Sequence, residues 1–161
     1  MSRPKPKDDE PPLAGATPDL RFRILNWVGI IDQLASNRAN RTLRDLDLPL
    51  PQFVMLNHFS HRPDEGKTVG GIARAMQQLP PAVTKTTQKL LAKGYLREAP
   101  SPEDARSKQL FLTAKGKTAH GKAIAALVPE VVPAFADWKP ADLEQFWQYL
   151  DKLKLWLDQN R

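Results

Sequence analysis

The chain of 161 residues contains no cysteine. That excludes a disulfide framework, a thiolate zinc site, thiol catalysis and thiol-based redox sensing. Nowhere do about 18 apolar residues run together, so no segment is expected to span a membrane. The opening stretch "MSRPKPKDDEPP" is charged and proline-rich and lacks the apolar core of a signal peptide, so a soluble cytoplasmic protein is expected. Gly-rich phosphate loops, Gly-x-Ser-x-Gly elbows and HExxH zinc motifs are also missing. "TVGGIARAM" has two glycines but neither the lysine nor the spacing of a phosphate loop. Carboxylates are plentiful, yet none forms a pair inside a pocket-like pattern. The expectation is therefore no enzyme and no cofactor.

Positive charge is what the chain has in excess, and it is concentrated. The formal net charge is +6. Residues 1–66 carry nine basic and nine acidic side chains, residues 67–122 carry eleven and three, and residues 123–161 carry four and six. All of the surplus therefore lies in the middle third, the footprint expected of a surface that meets a phosphate backbone.

Residues 1–17 hold Pro4, Pro6, Pro11 and Pro12 with mixed charge and one leucine, which predicts a disordered tail. Thr17 as cap, Pro18 at the first helical position and Asp19 at the positive helix end predict a long first helix. Leu20, Ile24, Trp27, Val28, Ile31, Leu34 and Ala35 follow helical spacing on it. Phe22, Leu25 and Ile30 add a second stripe. A shorter helix restarts at Pro51. "TVGGIARAMQQ" predicts a short helix packing Val69, Ile72, Ala73 and Met76. After the turn "QQLPP", residues 80–93 form a helix of about four turns stopped by Gly94. "YLREA" and "KQLFLT" then flank the polar knot "PSPEDARS" as a hairpin. A helix capped by Thr113, loosened by Gly116 and Gly121, ends or kinks at Pro129 and Pro133. Pro140 opens the last helix, with Leu143, Phe146, Trp147, Leu150, Leu153 and Leu157 on one stripe and Tyr149 and Trp156 widening it.

Both end helices carry more apolar surface than a monomer covers, which points to a dimer interface through Leu20, Ile24, Phe146, Trp147, Leu150, Leu153 and Leu157. Two helices joined by a tight turn and followed by a hairpin make a winged helix-turn-helix, with residues 80–93 as recognition helix. Val83, Thr87, Leu90 and Leu91 face inward. Ala82, Lys85, Thr86 and Lys89 face outward, where Ala82 can touch a thymine methyl, Lys85 can reach guanine or phosphate, and Thr86 can bond a phosphate or a base edge.

From about Leu20 onward the chain resembles the MarR family of transcription regulators. The residues that carry the resemblance are "TVGGIARAM", the helix ending "LLAKGY", and a wing with Asp104, Ala105 and Arg106 followed by "LTAKG". The resemblance implies an intertwined dimer whose recognition helices enter consecutive major grooves while wing arginines reach the minor groove. Pro81, Ala82, Lys85, Asp104 and Arg106 carry over by match. The family often has a polar residue where Ala82 stands. Asp104 would brace Arg106 for insertion into a narrow, electronegative groove. Family members often bind a small aromatic or anionic effector where the dimer helices meet the DNA-binding lobe, which here would place Trp27, Ile31, Met55, His58 and Phe59 around it. His58 and His61, with His120 and Asp64, could share a metal ion. Without cysteine, and with His61 at a helix end, a polar rim is expected instead and no metal.

The fold expected is mainly α with a small β-hairpin wing: a tail over 1–17, a dimerisation helix over 18–48, a winged helix-turn-helix lobe over 49–122 and C-terminal dimerisation helices over 123–161. The function expected is a sequence-specific transcription regulator. It would bind a pseudo-palindromic operator in double-stranded DNA as a homodimer, as a repressor relieved by a small molecule. A sequence-tolerant architectural DNA-binding protein and a helical interaction module that binds no DNA are the alternatives.

Overall fold

The structure is a computed structural model that describes residues 19–101 and 107–160. Seven-tenths of it is helix by design of the sequence: apolar residues recur at helical spacing and prolines sit at helix starts. The helices are α1 (Leu20–Arg44), α2 (Leu50–Ser60), α3 (Val69–Met76), α4 (Pro80–Ala92), α5 (Ala114–Val131) and α6 (Pro140–Gln159). Strands β1 (Leu96–Pro100) and β2 (Lys108–Leu112) lie between α4 and α5. The chain divides into two compact units, residues 1–37 and 38–161.

The described part of the first unit is the leading stretch of α1. Thr17 and Pro18 lie outside the described residues. The Asp19 carboxylate accepts from the Arg21 backbone N–H at 2.7 Å and pairs with the Arg21 guanidinium. That guanidinium holds the Asp19 carboxyl below the usual carboxylate range. Phe22, Ile24, Leu25, Trp27 and Ile31 are all exposed on this stretch.

The second unit holds the core. Leu43 and Leu48, at either side of the turn after α1, are sealed with Met55, Leu56 and Phe59 of α2, Ile72 of α3, Val83 and Leu90 of α4, and Ala123 of α5. Leu96, Leu110 and Leu112 close it from the hairpin. The two strands run antiparallel with Leu96 opposite Leu112 and Pro100 opposite Lys108. Leu110 also bridges to Lys67 just before α3, which ties the hairpin to the helix-turn-helix.

Two expectations need adjustment. Gly116 does not loosen α5: it is buried, and it lets the first turn of that helix press against the Tyr95 backbone. Pro129 does not end α5: it lies inside the helix, which continues to Val131. The change of winding comes at Val132–Phe135, a 3₁₀ turn that contains Pro133. Among the described residues no helix is long and apolar enough to cross a membrane.

Candidate nucleic-acid interface

Helix α3 is set by its cap. The Thr68 hydroxyl accepts from the Gly71 N–H at 3.1 Å, and Ile72 and Ala73 bury the inner face. Its end is a left-handed residue, Gln77 at φ 50°, after which the Gln78 N–H donates to the Ala73 carbonyl at 3.0 Å. This closes the helix end in the way a glycine usually does. The chain reverses over two residues and α4 begins at once, with Leu79 as cap and Pro80 and Pro81 as its first two residues.

Helix α4 presents the two faces expected of it. Val83, Thr87 and Leu90 are buried and Leu91 is half-buried, while Ala82, Lys85 and Lys89 are exposed and Thr86 is half-buried. Ala82, Lys85, Thr86 and Lys89 line one groove of about 590 Å³ with Gln78, Leu79 and the start of α2 at Pro49, Pro51 and Gln52. Pro81, the remaining residue expected on this face, is exposed in the first turn. Three threonine hydroxyls on the helix turn back onto carbonyls: Thr84 to Pro80 at 2.9 Å, Thr86 to Ala82 at 3.1 Å and Thr87 to Thr84 at 3.0 Å. Thr86 therefore shows the groove lone pairs rather than a donor hydrogen.

The basic residues of the middle third have different jobs. Lys93 donates to the Asp47 carbonyl and to Gln52 Oε1 at 3.0 Å, and lies 3.2 Å from the Asp47 carboxylate. It clamps the α1–α2 turn to the end of α4. Lys108 pairs with Glu98 at 2.8 Å across the hairpin, and the Arg97 guanidinium stacks 4.5 Å over Phe111. Lys85 and Lys89 have no acidic partner among the described residues, so their charge is available to a ligand on the groove side.

The hairpin is pinned at both ends. Gly94, at φ 70°, turns the chain out of α4. Thr113 then does three things: its hydroxyl donates to the Gly94 carbonyl at 2.7 Å, lies 3.1 Å from the Tyr95 carbonyl, and accepts from the Gly116 N–H at 3.0 Å as the cap of α5. The "LTAKG" stretch is thus the joint between hairpin and α5. At the far end the Ser101 N–H donates to the Ser107 carbonyl at 2.8 Å. Residues 102–106, and with them Asp104 and Arg106, lie outside the described residues.

The family model of the MarR family matches residues 46–107, from the turn before α2 to the edge of β2. Over that segment the chain is similar to the MarR family. Solved structures agree on the fold. The transcriptional regulator BldR from Sulfolobus solfataricus is 23% identical, with 83% of this chain and 93% of that chain covered at a TM-score of 0.72. Wild-type apo MarR from E. coli is 18% identical over 81% of this chain and 96% of that chain, with a TM-score of 0.70. A mutant MepR from S. aureus, bound to an oligodeoxyribonucleotide, is 21% identical over 86% and 99%, with a TM-score of 0.58. No curated protein matches the chain.

The effector residues expected of a MarR-family protein are scattered in role. Met55 and Phe59 are sealed in the core of the second unit. His58 borders a separate groove with Glu65, Lys67 and Thr68. Burial, then Lys67 and His61, push the His58 pKa down. Trp27 and Ile31 are exposed on the first unit. His120 stacks on Phe53 at 5.5 Å with its Nε2 3.3 Å from Asn57 Oδ1, and burial followed by His61 lowers its pKa. Among the described residues no group of His, Asp and Glu could hold a metal ion.

The apolar stripes expected at the MarR dimer interface lie open in the single chain. Leu20 and Ile24 are exposed on α1, and α6 buries no residue at all. Phe146, Trp147, Leu150 and Leu157 are exposed, Trp147 at 61%, and Leu153 is half-buried.

Sequence reasoning did not single out Leu79. It reads as part of the turn, yet it stands at the mouth of the groove with 76% of its surface exposed. The signal was its position: the residue before two helix-opening prolines is a cap, and a cap on the outward side cannot reach the core.

Proposed function

We propose that this protein is a sequence-specific transcription regulator that binds a pseudo-palindromic operator as a homodimer and represses until a small aromatic or anionic effector relieves it. The observation that carries the DNA-binding part is the groove face of α4. Ala82, Lys85, Thr86 and Lys89 lie together on it, and both lysines lack an acidic partner among the described residues. A helix following a tight turn, with base-sized and cationic side chains on its free face, fits a major groove. The likeness to MepR, seen with an oligodeoxyribonucleotide, supports the same reading. Arg106 would be the minor-groove probe of the wing and Asp104 its brace. Homodimerisation follows from the open stripes on α1 and α6, and two copies would present two recognition helices to one dyad.

The test is selection of bound duplexes from a random pool, followed by footprinting at fixed salt. A dyad site protected with a specificity ratio above about a thousandfold is expected. Uniform coverage of all sequences would replace the regulator with an architectural protein. Repeating the footprint with aromatic and anionic compounds tests relief: release of the operator by one of them is the expected result.

A further inference from the structure

The leading end of α4 has almost nothing to donate. Pro80 and Pro81 have no N–H, and the N–H groups of Ala82 and Val83 both go to the Leu79 carbonyl, at 3.0 and 3.3 Å. The Thr86 hydrogen is spent on the Ala82 carbonyl. A helix N-terminus usually anchors a phosphate through free N–H groups, and this one cannot do so through its first turn. What it shows instead is apolar: Leu79, 76% exposed, and the methyl of Ala82 one turn on, side by side in the groove. The ammonium groups of Lys85 and Lys89 follow toward the C-terminal end. Positions 79, 82, 86 and 89 fall on one stripe by helical spacing, so the stripe changes from apolar to cationic along its length.

In a major groove the N-terminal end of a recognition helix lies nearest the base edges. The one apolar group a base edge offers there is the 5-methyl of thymine. We propose that Leu79 and Ala82 read thymine methyl groups at the centre of each half-site contact, while Lys85 and Lys89 hold phosphates. Gln78, exposed on the turn beside them, lies within the same groove and is free to read a neighbouring base. Thr86 adds a second preference of the same kind, since its lone pairs suit the exocyclic amine of adenine or cytosine and not a carbonyl. The inference rests on the DNA-binding reading above and names the chemistry by which that reading discriminates.

The experiment starts from the operator recovered by selection. Each thymine is replaced in turn by deoxyuridine, which removes the methyl and keeps the base pair. At least one thymine per half-site should lose about fourfold in affinity per methyl. A cytosine at that position should gain when supplied as 5-methylcytosine. Leu79→Ala, at an exposed position, should melt like the wild type and become indifferent to uracil at one of these thymines. An operator without a methyl-dependent thymine, or Leu79→Ala with an unchanged uracil penalty at every position, overturns the inference and leaves the regulator standing. A pool that enriches no sequence takes both down.

Discussion

A methyl group added to Gly116 would lie 2.2 Å from the Tyr95 carbonyl oxygen and 2.8 Å from Leu112 Cδ1. The Tyr95 carbonyl cannot move aside, because the Thr113 N–H donates to it at 3.0 Å and the chain there is leaving Gly94. Gly116→Ala should therefore destabilise the protein by about 3 kcal/mol, the upper end for overpacking. Urea denaturation gives the number directly. Gly121→Ala in the same helix meets nothing within 4 Å and should be neutral or slightly stabilising. The two glycines look alike in sequence, and helix propensity alone predicts that both loosen the helix. Helical spacing says where a residue sits on its own helix, and says nothing of what backbone lies opposite. The cap at Thr113 was legible because capping is local; its bonds to Gly94 and Tyr95, 19 and 18 residues away, were not.

At the scale of elements, the order of helices and the hairpin were legible because each is punctuated: proline at the starts of α4 and α6, Gly94 after α4, Thr113 before α5. The function of individual charges was not. Lys93 counts toward the basic middle third, yet it is 23% exposed and ties the α1–α2 turn, through Asp47 and the buried Gln52, to the end of the recognition helix. A charged hydrogen bond of this kind contributes about 1.5–3 kcal/mol. Lys93→Met keeps the aliphatic stem and removes the donor, so stability should fall by about that amount. Its effect on DNA should differ in kind from that of Lys85→Met. Removing Lys85 should lower the slope of log affinity against log salt by about one for each copy in contact with DNA. Removing Lys93 should leave the slope unchanged. Equal changes in slope would place Lys93 at the phosphate backbone and remove it from the clamp.

At the scale of the whole molecule, twenty residues of α6 fold without burying one side chain in the single chain. A helix with Phe146, Trp147, Tyr149, Leu150, Trp156 and Leu157 exposed has an apolar face that water does not favour, and most helical stability in proteins comes from packing such a face against a partner surface. This much the stripe in the sequence foretold, since excess apolar surface can be counted before any fold is known. A second copy covers it in our reading. In a twofold dimer, Leu150→Asp places a carboxylate in the interface from each copy, and burying an unpaired carboxylate costs several kcal/mol. Leu150 is 38% exposed in the single chain and outside the core, so the lobe of residues 38–131 should keep its fold. Sedimentation at micromolar concentration should show the wild type as a dimer and Leu150→Asp as a monomer. Operator affinity should collapse with it, because one recognition helix then meets one half-site. A variant that remains dimeric would move the interface off this stripe, and a folded monomer with full operator affinity would show that one lobe suffices for recognition.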